Sequence, residues 1–117
     1  MIRRATREDL VLIVGFMMDY YKQNNIAAHR FSVMDFVNHC ICDFNNIVYV
    51  RDLFGCISGV CIVITFPLIT DNSKREATKM FCHDSDSTGM DLLNEAVIED
   101  IEKAGIKKIT KYVYSRE

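Results

Sequence analysis

A helix start can hold a phosphate, because its first amides lack helical partners and the helix dipole is positive at that end. The stretch Asp84-Ser85-Asp86-Ser87-Thr88-Gly89-Met90-Asp91-Leu92-Leu93 stands at such a place, between a strand-like segment and a helix-like one. Gly89 and the double leucine have the offset of a phosphate-binding turn. The residues that would meet the anion, however, are two aspartates and two serines. Two carboxylates roughly 5–8 Å from a diphosphate would each oppose it by about 0.5–3 kcal/mol. Asp86, Ser87 and Thr88 are also good capping residues, able to satisfy the helix amides themselves.

Other reactive residues lie nearby. Cys82 and His83 are a nucleophile and a base by type, but neighbours on a strand point to opposite faces and cannot form a pair. The expectation is a buried Cys82 with His83 at the strand exit. His39-Cys40-x-Cys42 has metal-binding residue types. On a helix Cys40 and Cys42 stand about 200° apart, and no second cluster at zinc-like spacing completes a ligand set. No metal site is expected. Glu76, beside Lys74 and Arg75, reads as a solvated strand-end carboxylate. Lys107, Lys108, Lys111 and Arg116 make a mildly basic end of the chain.

The elements that would position these residues follow from periodicity and capping. Ile2 to Ala5 reads as a short strand. Thr6 caps a helix with Asp9 three residues on, and Leu10, Ile13, Val14, Met17, Tyr20 and Tyr21 form its apolar face. Gln23-Asn24-Asn25 ends it. Ser32 with Asp35 repeats the capping signal before a second amphipathic run, Val33 to Phe44. Ile47 to Asp52 and Cys56 to Phe66 read as a hairpin turning at Leu53-Phe54-Gly55, with a bulge at Ser58-Gly59. Pro67 to Arg75 reads as a polar loop and Glu76 to His83 as a further strand. A helix from about Thr88 to Ala104 buries Leu92, Leu93, Ala96, Val97 and Ile101. Gly105 is its left-handed cap, with Ile106 beyond. Lys107 to Tyr114 closes the pattern as a strand. The order β-α-α-β-β-β-α-β predicts an α/β domain with a mixed sheet.

The 117 residues suit one domain, 1–117, with a real core. The net charge of −2 and pI near 5.9 lack the basic footprint of a nucleic-acid partner. No segment approaches the about 18 consecutive apolar residues of a membrane span. Met1-Ile2-Arg3-Arg4 lacks a signal-peptide core, and Glu8 and Asp9 argue against a transit peptide. A cytoplasmic setting is expected. The five cysteines are scattered among apolar residues and are expected to be reduced.

This order resembles the GNAT family of acyl-CoA N-acyltransferases. Met1-Ile-Arg-Arg-Ala-Thr-Arg-Glu-Asp-Leu10 is similar to the family's opening strand and helix. Gly89-Met90-x-Leu92-Leu93-x-x-Ala96, followed by Lys103-Ala104-Gly105-Ile106-Lys107-Lys108-Ile109, is similar to its cofactor helix and the next strand. Small GNAT-like proteins of tailed bacteriophages show a similar Gly-Met-x-Leu-Leu run. The resemblance implies a GNAT-like mixed sheet, acetyl-CoA held against Phe81, Cys82, Ser87, Thr88, Gly89 and Met90, and Glu76 as the base that deprotonates an amine. It departs from the family in two places. The family's loop, Arg/Gln-x-x-Gly-x-Gly/Ala, is met here by Asp84 at the Arg/Gln and Ser87 at the first glycine. The helix and strands that usually follow the last strand, with the tyrosine that protonates the departing thiolate, are lacking here. Tyr112 and Tyr114 lie on the strand itself. Such a sheet would leave an edge and an apolar face to be covered by a second copy or another protein.

Two functions follow. One is a degenerate GNAT-like protein without catalysis, a binding or assembly component, in a phage setting part of the virion or a host contact. The other is an acetyl-CoA-dependent N-acetyltransferase acting on an amine. The acidic loop and the missing tail favour the first, with no cofactor bound.

Overall fold

A computed structural model describes residues 1–67, 70, 75–106 and 109–111, the last three as backbone. The strands are β1 (Ile2–Arg4), β2 (Ile47–Leu53), β3 (Cys56–Pro67), β4 (Arg75–Asp84) and β5 (Ile109–Lys111). The helices are α1 (Leu10–Gln23), α2 (Arg30–Cys42) and α3 (Ser87–Lys103). Their sequence is the expected β-α-α-β-β-β-α-β. The sheet has five strands in the spatial order β1-β2-β3-β4-β5. The first four pair antiparallel, and β5 runs parallel to β4. This is the mixed α/β sheet that the pattern predicts.

Alternation on the strands divides the apolar residues between two layers. Val48, Val50, Val60 and Ile62 meet α1 and α2 through Ile13, Val14, Met17 and Val37. Ile47, Cys61, Val63 and Ala77 meet α3 through Leu93, Val97 and Ile101. Each sheet face is therefore buried, and β3, at the centre, is a near-continuous apolar run.

Several ends form as their local sequence dictates. The Asp9 carboxylate accepts from the Thr6 amide at 2.8 Å, although the first turn, Arg7–Asp9, is a 3-10 turn rather than α-helix. Gly105 takes φ +76°. The Gly105 amide reaches the Glu102 carbonyl and the Ile106 amide reaches Ile101, the paired bonds of a Schellman end. The hairpin bulge falls at Ser58, where the register shifts between Arg51 and Asp52.

Three expectations are corrected. α2 begins at Arg30 after an N-cap at His29. At Ser32 the backbone is already helical, so Ser32 and Asp35 have no helix start to cap. Asp43 then turns to extended backbone, which takes Phe44 off the helix and leaves it 86% exposed. Leu92 is 45% exposed, because Leu93 already points at the sheet and its neighbour is rotated by about 100°. Of the expected Pro67–Arg75 loop, residues 68, 69 and 71–74 lie outside the described residues. So do 107, 108 and 112–117, including Tyr112, Tyr114 and Arg116, and the side chain of Lys111.

Candidate functional site

The loop between β4 and α3 is built on a row of three residues across the sheet. Arg51 on β2 faces Gly59 on β3, and Gly59 faces Asp84 at the end of β4. Glycine leaves a gap in this row, and Arg51 reaches through it. Its Nε donates to Asp84 Oδ2 at 2.7 Å, and its Nη2 donates to Asp84 Oδ1 at 2.7 Å. Nη2 also reaches Asp86 Oδ2 at 3.1 Å. The bidentate geometry is the strong form of an Arg–carboxylate pair. The Asp84 side chain is 0% exposed.

Two glycines make room for this pair. A Cβ on Gly59 would overlap the Asp84 carboxylate and the Leu93 side chain. A Cβ on Gly89 would overlap Arg51 and Asp84. The glycine that the sequence places at a phosphate turn is thus needed for the packing beneath the helix. Burial by itself would raise the Asp84 carboxyl. The Arg51 bonds, the Asp86 amide and the Arg51 charge outweigh it and hold the group below its ordinary range.

The loop amides are largely turned inward. The Ser85 amide donates to the Ser58 carbonyl at 2.9 Å. The Asp86 amide donates to Asp84 Oδ1 at 3.0 Å. Asp86 is the N-cap of α3, and its Oδ1 accepts from the Gly89 amide at 2.7 Å. The self-capped helix start expected of Asp86-Ser87-Thr88 is therefore found, with Asp86 as the capping residue. Asp84 is corrected: its carboxylate lies under the loop, paired with Arg51, and does not face a phosphate position.

The remaining candidates fall on two faces. A bulge decides which. Phe81 pairs with Ile62 but Lys79 pairs with Val63, so Met80 is an extra residue in β4. Met80 and Phe81 consequently both pack toward α1 and α2, where Phe81 meets Tyr20 and Tyr21 edge to face. His83 also lies on that side, with its ring centroid 4.6 Å from that of Tyr20. Cys82 turns the other way, to Met90 and Asn94 on α3. Cys82 and His83 thus stand on opposite faces, as expected. Cys82 is half-buried, not fully buried. Glu76 is half-buried on β4 opposite Phe66, next to the Ala77–Ile109 pair. Of the expected cofactor residues, the fold brings Cys82 and Met90 together. Ser87 and Thr88 are exposed, Gly89 is buried, and Phe81 is in the opposite core. On α2, Cys40 is buried and Cys42 exposed, so the two point apart.

On the α1–α2 face Met17, Tyr21, Val33, Phe36, Met80 and Phe81 line an open apolar cavity of about 390 Å³. The sequence marks neither this cavity nor Arg51. The one sign of Arg51 was a cation closing an apolar strand, opposite a glycine.

No family model matches the chain and no curated protein does. Solved structures match over nearly all of it. A predicted acetyltransferase from Clostridium acetobutylicum, solved with acetyl-CoA, superposes with TM-score 0.80 at 13% identity, covering 98% of this chain and 81% of that one. A possible acetyltransferase from Clostridium difficile 630 gives TM-score 0.82 at 14% identity, covering 100% and 81%. The chain has the GNAT fold. An aminoglycoside acetyltransferase from a soil metagenome, solved with sisomicin, shares this GNAT fold with TM-score 0.75 at 14% identity, covering 98% and 78%. At such identities the likeness carries the GNAT architecture and not its chemistry.

Two carboxylates and one guanidinium leave a net negative charge at the loop between β4 and α3. The amides of Ser85, Asp86 and Gly89 already have acceptors.

Proposed function

We propose that this chain is a non-catalytic binding or assembly module on the GNAT fold, one whose cofactor loop has become a structural lock. The observation that carries the reading is the Arg51–Asp84–Asp86 cluster under the first turn of α3. An anion at that turn would face the Asp86 carboxylate, which already holds the Gly89 amide. The helix dipole favours a negative group at this position, and Asp86 is already that group. The partner in this reading is a second copy or another protein laid along the sheet beyond β5. A tailed-phage particle or its host's cytoplasm is a setting that suits such a module. Among the described residues no helix is long and apolar enough to cross a membrane.

Calorimetric titration of acetyl-CoA into the purified chain tests this, at low and moderate salt. The expected result is no heat of binding at millimolar cofactor. Micromolar binding that the exposed-site variant Ser87→Glu abolishes would overturn it. Sedimentation over a wide concentration range tests the partner. A self-associating chain supports a second copy, and a strict monomer removes that form of the proposal.

The competing reading is N-acetyl transfer with Glu76 as base. What favours it is the match over 98% of the chain to a structure solved with acetyl-CoA. Acetylation of any member of an amine panel, lost in Glu76→Gln, would put it first.

A further inference from the structure

Two sulfur contacts converge on Cys82, from Cys61 on β3 and from Met90 in the first turn of α3. Cys61 and Cys82 are direct register partners on antiparallel strands, and both turn toward α3. Cα atoms so opposed stand about 4.5–5.5 Å apart. Cys82 Sγ lies 3.8 Å from Met90 Sδ and 3.7 Å from Asn94 Oδ1. The Cys61 and Cys82 thiols share a hydrogen bond. Cys61 is fully buried, whereas Cys82 and Met90 are half-buried. The cluster is therefore nearest the surface on its Cys82 and Met90 side.

We propose that Cys61, Cys82 and Met90 form a site for a soft monovalent metal ion of the Cu(I) type. Thiolate and thioether donors select such ions over harder ones. Three sulfurs around one ion, each at a metal–thiolate distance of about 2.3 Å, stand about 4.0 Å apart. The observed 3.8 Å between Cys82 and Met90 is close to that spacing. Zinc would want a fourth ligand, and among the described residues no three of His, Cys, Asp and Glu are grouped for a metal. Binding replaces two thiol protons with one cation, so two protons leave and the site gains one negative charge. Lys79 stands ready to offset it. Its Nζ donates to Asn94 Oδ1 at 2.6 Å, and that oxygen also faces Cys82. The ion would join α3 to the centre of the sheet. The proposal does not rest on acyl-CoA binding, although Cys82 and Met90 also belong to the expected cofactor face.

The test is an anaerobic competition for Cu(I) against bicinchoninate, with the reduced chain carrying Cys42→Ser and Cys56→Ser. These two exposed thiols would otherwise bind the ion adventitiously. The expected result is uptake of one equivalent, with X-ray absorption reporting three sulfur neighbours. Cys82→Ser is expected to weaken uptake at least about 100-fold and Met90→Leu about tenfold, circular dichroism showing both folded. Failure to draw copper from the chelator would overturn the proposal. So would uptake indifferent to Cys82→Ser and Met90→Leu. An intact mass lighter by two hydrogens, without copper, would mean a Cys61–Cys82 disulfide and would overturn it as well.

Discussion

Arg51 and Asp84 close two 2.7 Å bonds across the bare backbone of Gly59, spanning three strands in one row. The Asp84 side chain is 0% exposed and that of Arg51 11%, so Asp84 has no water to fall back on. Arg51→Met is expected to cost about 3–5 kcal/mol, because it leaves Asp84 buried without its charge partner, and Asp84→Leu less, because Arg51 keeps Asp86. Arg51→Met combined with Asp84→Leu should cost clearly less than the sum, since two apolar groups need no partner. Urea denaturation of the four proteins of this cycle is the measurement. Additive losses would mean that the pair is not coupled.

Acid should unfold the chain through its carboxylates. Asp9 accepts from Arg3 at 2.7 and 2.9 Å, and these bonds, against the opposing effect of burial, lower its carboxyl from 3.8 to about 2. A lowered folded-state value means that the unfolded chain takes up its proton first as the pH falls. The stabilisation is therefore complete above about pH 5 and is lost on the way to about pH 2, roughly 2 kcal/mol in all. Asp84 and Asp52 are shifted the same way and steepen the fall. Denaturation midpoints between pH 7 and pH 3 should drop in the parent protein, and less in Asp9→Asn.

The five cysteines should divide by exposure. Cys42 and Cys56 are exposed, Cys82 is half-buried, and Cys40 and Cys61 are buried. Burial, with Asp43 nearby, pushes the Cys40 thiol up to about 11, so little thiolate exists at neutral pH. A thiol reagent in large excess should label two sites quickly and one slowly. The last two should react only in denaturant. Fast labelling of Cys40 would contradict the packing of α2.

Phe54 sits in the left-handed region at φ +54°, followed by Gly55 at φ +83°, in the two-residue turn between the paired residues Leu53 and Cys56. Such turns favour Asn-Gly, and the Phe54 ring is fully exposed. Phe54→Asn should raise stability by about 0.5–1 kcal/mol, read as a higher Tm. A loss would show that the ring packs on something in solution.

Local signals were the more legible ones in the sequence, although Ser32 with Asp35 marked a helix start that lies at His29 instead. Thr6 with Asp9, Gly105 with Ile106, and Ser58 beside Gly59 each act within a few residues, and each formed. Signals that depend on packing were not legible. Nothing in Lys79-Met80-Phe81 marks a bulge, and strict alternation would have put Phe81 on the same face as Lys79. Leu92 and Leu93 are alike in type, and only the position of the sheet decides which is buried. Asp84 was read as part of the loop because its partner lies 33 positions away. The candidate site was thus legible in its residue types and not in its direction. The carboxylate that seemed to face a ligand faces the core.

The row across Gly59 also makes the charged pair hard to exchange by single mutations. Placing a neutral donor such as glutamine at position 84 would leave Arg51 with Asp86, whose side chain is 58% exposed. Replacing Arg51 first would strand Asp84. That step crosses a loss of about 3–5 kcal/mol, against a typical total stability of about 5–15 kcal/mol. A lineage carrying this triplet is held by an evolutionary ratchet, in which exchanging the charged pair for another requires two near-simultaneous substitutions.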